Sequence, residues 1–522
     1  MAFGESRRRI WRRPAQPVLV LSPVRRRATR ALCSRTQTGI SVPPDDRVVW
    51  RDDEGEPLTI LGGGPAGLAV AHYAHRAGLR FALYERRPEP GGLCRTFRHG
   101  AHRYDAGAHR FHDRDPEITR DVRLLLGAEL ASVSAPSQIF HRGRFVDFPP
   151  SPLGWVLSQG PAEAVRVAAD LLRARWRPRP ERSFEDFATN RYGRRLGKPL
   201  LLDYSEKLWG LPAAELAPDV ATRRLSGLTL ASLLGELFRG GRRTVHLDGD
   251  FLYPRTGYGA IVERMVAGLP AAHLHTAREI TGLGCDGGRV RRLELAGGAS
   301  VPIAGRVVST LPLTVLVQFL GDALPSAARR AAAQLRFRHV RIVFLRLARR
   351  RCSPNATIYL PDPRLCISRI SEPKNRSAAM APEDETSLVA EVPCSSGDAI
   401  AALDDGALAR RVVSELVEVG LVESTQLIEW RHHLLPNAYP VVALGAADAV
   451  RTICDALRAI GNLDLVGRSG LFWYSHLHDQ LRLAKDYVGS FRERPARDAP
   501  AAKHVAAHRE VGEEAEVGAP AP

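Results

Sequence analysis

Gly62, Gly64 and Gly67 stand in G-x-G-x-x-G spacing directly after Leu58-Thr-Ile-Leu61. That spacing suits a pyrophosphate: the first glycine permits a tight turn, the second lets a phosphate approach the backbone, and the third lets a helix lie close to a strand. Pro65 and Ala66 open the stretch that follows, where a proline's missing N–H is not needed. The free N–H groups of a helix start would face the phosphates. Glu85 lies about 20 residues past the first glycine, where a carboxylate can accept ribose hydroxyls. Two histidine-bearing runs, Gly107-Ala-His109-Arg-Phe-His112 and Tyr474-Ser-His476-Leu-His478-Asp479, supply groups that titrate near neutrality. His109 and His476 are therefore candidate bases, with Tyr474 beside the second. The elements that must position these groups are a strand over 58–61, a helix from Pro65 toward Ala77 and a second strand over Phe81–Tyr84. Together they predict a dinucleotide-binding unit.

The chain has 522 residues, enough for more than one domain and a large core. A hydrophobic share of 44% and a charged share of 25% are ordinary for a globular protein. Seven scattered cysteines with no C-x-x-C pair argue against a disulfide framework or a zinc site and fit a reducing, cytoplasmic setting. No apolar run approaches the roughly 18 residues of a membrane span. Net charge is +17, and the segment through Trp50 holds eleven arginines against three acids. Basic residues are not interleaved with aromatics, so nucleic acid is not an expected partner. The basic balance fits a solvated surface or a phosphate-bearing ligand. No metal site is expected.

Past Glu85 and Arg86, the run Gly91-Gly92-Leu93-Cys94-Arg95 resembles the flavoprotein pattern in which a second glycine pair wraps the FAD pyrophosphate. Gly107 to His112 resembles the G-x-H-x-F-H segment of UDP-galactopyranose mutases, which implies that His109 lies beside the flavin ring. Asp203-Tyr204-Ser-Glu-Lys-Leu-Trp209-Gly210 is similar to the Y-[TS]-E-K-x-W-G block of the same family, which places Tyr204 and Trp209 along a substrate pocket. Arg223 and Arg224 follow at the distance of a diphosphate-binding arginine, with either one eligible. Ile280 matches a strand that lays a backbone amide beside adenine, and Gly467-Arg468 the C-terminal FAD motif, in which the arginine meets the pyrophosphate. Ser368-Arg369-Ile-Ser-Glu-Pro-Lys-Asn375 and Asn437-Ala-Tyr-Pro440 also occur in a related branch that includes protoporphyrinogen-oxidase-like proteins, and Arg369 is taken as substrate-binding. The mutases carry an acid where this chain has His476, and the other branch an N-N-M-D-H run, so the wall nearest the flavin departs from both.

The resemblance implies an α/β fold: a Rossmann-like FAD-binding domain of the amine oxidase and protoporphyrinogen oxidase superfamily, interleaved with helical and β-sheet substrate domains. The expected division is a disordered Arg-rich tail over 1–56, FAD-binding parts over 57–115, 250–322 and 456–490, a mostly helical substrate domain over 116–249, a β-rich one over 323–455, and a disordered tail over 491–522. The Arg-rich tail reads equally as a transit peptide, a misplaced start or a plain basic extension. The implied function is an FAD-dependent oxidoreductase that takes hydride from a small, polar or sugar-related substrate. The alternatives are a mutase acting on a nucleotide sugar with reduced flavin, and a flavin-binding protein without turnover. No second glycine motif is present to bind a nicotinamide. Electrons would come from the substrate, a partner or weak nicotinamide binding at the flavin.

Overall fold

In the computed structural model, residues 56–148, 160–220 and 250–492 are described. Leu58–Leu61 is the central strand of a five-stranded parallel sheet. Across the sheet the order is Leu463–Leu465, Arg306–Ser309, Leu58–Leu61, Phe81–Tyr84 and Leu274–His275. All three apolar residues of the central strand, Leu58, Ile60 and Leu61, are buried, as befits a strand covered on both faces. The chain thus returns to this one sheet from three regions far apart in sequence.

The helix Pro65–Arg76 follows the glycine turn with proline in its first turn and no side-chain cap, so its leading N–H groups stay open. Arg76 closes it with positive charge at the negative end of its dipole. The last helix, Leu477–Arg492, packs on it through Leu477, Leu481 and Ala484. That contact is bordered by Arg482 on Asp115 at 2.8 Å and Lys485 on Asp121 at 2.8 Å. The opposite face of the sheet is covered by Leu313–Leu320, Ala446–Leu457 and a three-stranded antiparallel sheet that begins at Ile280.

A seven-stranded sheet lies against the dinucleotide unit. Its order is Leu427–Pro440, Phe337–Leu347, Thr386–Cys394, Arg369–Ser371, Thr357–Tyr359, Ser137–His141 and Arg144–Phe148. All nine residues of Thr386–Cys394 are buried. The expectation of a mostly helical 116–249 holds only in part. Pro116–Leu126, Pro161–Trp176 and Phe184–Gly197 are helical, but Leu130–Val133, Ser137–His141 and Arg144–Phe148 are strands. The cause is local: Arg142 and Gly143 both take positive φ, 49° and 76°, in a two-residue turn that folds a hairpin. Arg223 and Arg224 lie outside the described residues, as do residues 1–55 of the first expected tail and 493–522 of the second; Phe491 and Arg492, expected in that second tail, instead end the last helix, Leu477–Arg492. No helix among the described residues is long and apolar enough to cross a membrane.

Candidate active site

A cavity of about 540 Å³ runs from the carboxyl ends of the parallel strands to the face of the seven-stranded sheet. At one end Glu85 caps the strand Phe81–Tyr84. Its carboxylate accepts from the Gly63 amide at 2.7 Å and the Arg87 amide at 2.9 Å, which fixes its direction. Arg86, Glu279 and Ile280 line the same end, and Gly62, Gly64, Pro65 and Ala66 line the middle.

Two of the glycines separate packing from binding. A Cβ on Gly67 would sit 1.9 Å from the Gly62 carbonyl oxygen, so helix and strand approach too closely for any side chain. A Cβ on Gly64 would meet no protein atom within 4 Å. It would project into the cavity in front of the open N–H groups of the helix, where a diphosphate fits. The second glycine pair is tied to this turn, the Gly91 amide donating to the Gly63 carbonyl at 2.7 Å. Leu93 and Arg95 line the cavity just beyond, with Arg95 Nε donating to the Gly92 carbonyl at 3.1 Å. Gly67, Gly91 and Gly467 stand behind the lining; Gly467 lies against Ala66.

At the other end the cavity widens into a chamber lined by His109, Tyr204, Tyr359, Arg369, Tyr439, Arg468, Tyr474 and His476. His109 Nε2 is 2.9 Å from the Leu93 carbonyl oxygen, which can only accept, so Nε2 carries the proton and Nδ1 the lone pair. Its ring stacks on Tyr258 at 4.8 Å. Burial lowers its pKa and keeps it neutral. Burial likewise drives His476 down to about 4, helped by His478, Arg114 and Arg468 and opposed by Asp479. His112 falls to about 3 by burial beside Arg110 and Arg114. The chamber therefore presents neutral imidazoles at physiological pH. The His476 amide donates to Asp479 Oδ2 at 2.7 Å, and its ring stacks on His478.

Two arginines are held on the chamber wall. Arg369 Nε and Nη2 grip the Glu391 carboxylate at 2.9 and 2.5 Å, with the Tyr439 hydroxyl 3.4 Å from Nη2. Burial opposes the Arg369 charge, but Glu391 and the neighbouring tyrosines outweigh it and hold the pKa well above its usual value. Arg468, expected at the pyrophosphate, lines the same cavity as the glycine turn, on the side of the chamber tyrosines. Its guanidinium lies between Tyr439 and Tyr474, 4.8 and 4.6 Å from their ring centres, and donates to the Ala438 carbonyl at 2.9 Å. Trp209 departs from its expected place along the pocket: it is 2% exposed and stands behind the wall, edge-on to Tyr439 and Tyr474. It packs the tyrosines instead of lining the chamber.

Glu391 and Tyr439 carry weight that motif reading alone did not assign. Glu391 Oε1 also accepts the Ala108 amide at 2.7 Å, so one carboxylate fixes both Arg369 and the His109 loop. The available signal was a single acid in the otherwise uncharged strand Thr386–Cys394, since a buried charge implies a partner.

An open-ended glycine cradle beside the Glu85 carboxylate, running into an aromatic chamber, has the form of a dinucleotide-binding site. Residues 65–445 match the family of flavin-containing amine oxidoreductases, and the chain belongs to that family; its cofactor is FAD. The fold is similar to that of a reduced UDP-galactopyranose mutase, with TM-score 0.74 and 18% identity over 86% of this chain and 98% of that one. It is also similar to a putative protoporphyrinogen oxidase from an Exiguobacterium species, with TM-score 0.67 and 21% identity over 84% of this chain and 99% of that one. A putrescine oxidase matches with TM-score 0.61 and 14% identity over 84% and 99% of the two chains.

Proposed function

We propose that the protein is an FAD-dependent oxidoreductase that oxidises a small polar metabolite, sugar-related or otherwise rich in hydroxyl or amine groups, in the cytoplasm. The observation that carries this reading is the placement of His476 in a chamber walled by four tyrosines and two arginines. Bound FAD supplies a two-electron hydride acceptor whose electrons pass on to dioxygen or a carrier. The protein's part is to hold the substrate and take its proton. Glu85, the Gly64 cradle, Arg86, Leu93, Arg95 and Ile280 would hold the cofactor, and His109 would face its ring. Tyr204, Tyr474 and Arg369 would orient the substrate, and His476 would accept the proton from the hydroxyl or ammonium whose neighbouring C–H is oxidised. The polar chamber suits such a substrate better than an apolar tetrapyrrole.

A second reading, ring-size isomerisation of a nucleotide sugar, is favoured by one observation: Tyr204, matched to the mutases, and Tyr474, two residues before the position where they carry an acid, line a single chamber. Aerobic assay of the yellow holoprotein against hydroxyl- and amine-bearing metabolites separates the readings. Peroxide release or flavin bleaching supports the oxidoreductase. Turnover of a nucleotide sugar that appears only after dithionite reduction, with no net electron transfer, overturns it in favour of the mutase. A flavin spectrum with no turnover of any kind in either state leaves a binding protein.

A further inference from the structure

The helix Pro161–Trp176 wears its apolar residues outward. At 100° per residue Val165, Ala168, Ala169, Leu172 and Trp176 fall on one face. Val165 is 70% exposed, Leu172 52% and Trp176 77%. Only Val167, on the opposite side, is buried. Single exposed apolar residues are commonplace, but a continuous stripe along about three turns is not.

The charges of the helix are sorted about that stripe. Its two acids face the protein. Glu163 pairs with Arg195 at 2.8 Å and Arg166 at 3.3 Å, and Asp170 Oδ2 accepts the Arg195 amide at 2.8 Å. Arg166 and Arg173 flank the stripe on one side and Arg175 on the other. Arg177 and Arg179 continue past the helix end, and neither they nor Arg173 and Arg175 form an ion pair among the described residues.

We propose that this face is a docking surface for the headgroup layer of an anionic lipid bilayer. Leucine, valine and an indole on one face, edged by arginines, are what an interfacial helix needs: the apolar residues enter the acyl boundary and the guanidiniums meet lipid phosphates. Tryptophan suits the headgroup level, with an apolar body and a polar N–H. Charge complementarity selects this occupant over a second copy. Pairing the face with itself would bring two rows of unpaired arginines together on chains of net charge +17. At 16 residues and with this charge, the helix would lie on the membrane and not cross it.

The test is flotation of the full-length holoprotein with vesicles of phosphatidylcholine plus phosphatidylglycerol, and of phosphatidylcholine alone. The protein should float with the first and not the second, and salt should weaken the binding. Leu172→Ser combined with Trp176→Ser leaves the charge unchanged and removes most of the apolar edge. Binding should fall about tenfold or more, with the flavin spectrum and thermal midpoint kept because both side chains are exposed. Trp176→Ser alone serves as the milder variant. No flotation with anionic vesicles overturns the proposal. So does undiminished binding by the variants, which would assign it to basic charge elsewhere. Light scattering that shows a dimer converted to monomer by these changes overturns it in favour of a second copy.

Discussion

Arg369 and Glu391 stand directly opposite each other in register on neighbouring antiparallel strands, and their side chains close a two-pronged ion pair at the chamber wall. The pair is buried, so its removal is asymmetric. Either partner alone would be an uncompensated charge away from water.

Glu391→Ala should therefore cost about 3 kcal/mol of stability, and it also frees the Ala108 amide that holds the His109 loop. A lowered thermal midpoint together with a shifted flavin absorption band is the expected result. Glu391→Gln, which keeps an acceptor for Ala108, should retain more of the flavin band than of the stability.

The glycine turn offers a contrast between binding and folding. Gly64→Ala adds a methyl group where no protein atom lies within 4 Å, so the fold should persist while FAD affinity falls about tenfold or more. Gly67→Ala adds one 1.9 Å from a carbonyl oxygen and should leave little folded protein. Flavin titration and thermal unfolding of the two variants, side by side, check both halves.

Stability should rise with pH between about 4 and 6.5. Burial lowers His72, His433 and His476 to about 4 and His112 to about 3. In that window the unfolded chain binds protons that the folded chain refuses, so acid favours unfolding. Each such histidine contributes at most about 1.4 kcal/mol per pH unit. Denaturant titrations at stepped pH should show the loss begin below about pH 6.5. His476→Asn should shallow the slope, and under the proposed reaction it should lower kcat while leaving flavin content intact.

Trp209 braces Tyr439 and Tyr474 from behind. Trp209→Ala should destabilise by about 3 kcal/mol or more and raise KM through the loosened tyrosines. Trp209→Phe should recover most of both. A substrate-lining tryptophan would instead show a large KM effect with little loss of stability.

The dinucleotide unit was legible because its signals are local: strand Leu58–Leu61, helix Pro65–Arg76, strand Phe81–Tyr84 and Glu85 follow one another within one stretch of chain. The hairpin around Arg142-Gly143 was missed because its two strands are short and its partner strand, Thr357–Tyr359, lies far along the sequence. The chamber was legible as a set of candidates and not as an arrangement. Tyr204, Arg369, Tyr474 and His476 come from four segments, and sequence spacing says nothing of which face each turns. Arg468 and Trp209 show the limit: both sit beside the chamber tyrosines, but one is wedged between the rings and the other is hidden behind them. Glu391 depends on a strand neighbour, Arg369, and a distant loop at Ala108, and no local pattern names either partner.

The central sheet takes its edge strand from Leu463–Leu465, and its first helix rests on the last, Leu477–Arg492. A nascent chain on the ribosome thus holds its nucleotide turn for most of synthesis without the segments that complete it. Cofactor loading is accordingly expected only once these segments have been made, and a chain that ends before them lacks both the edge strand of the sheet and the helix that covers Pro65–Arg76.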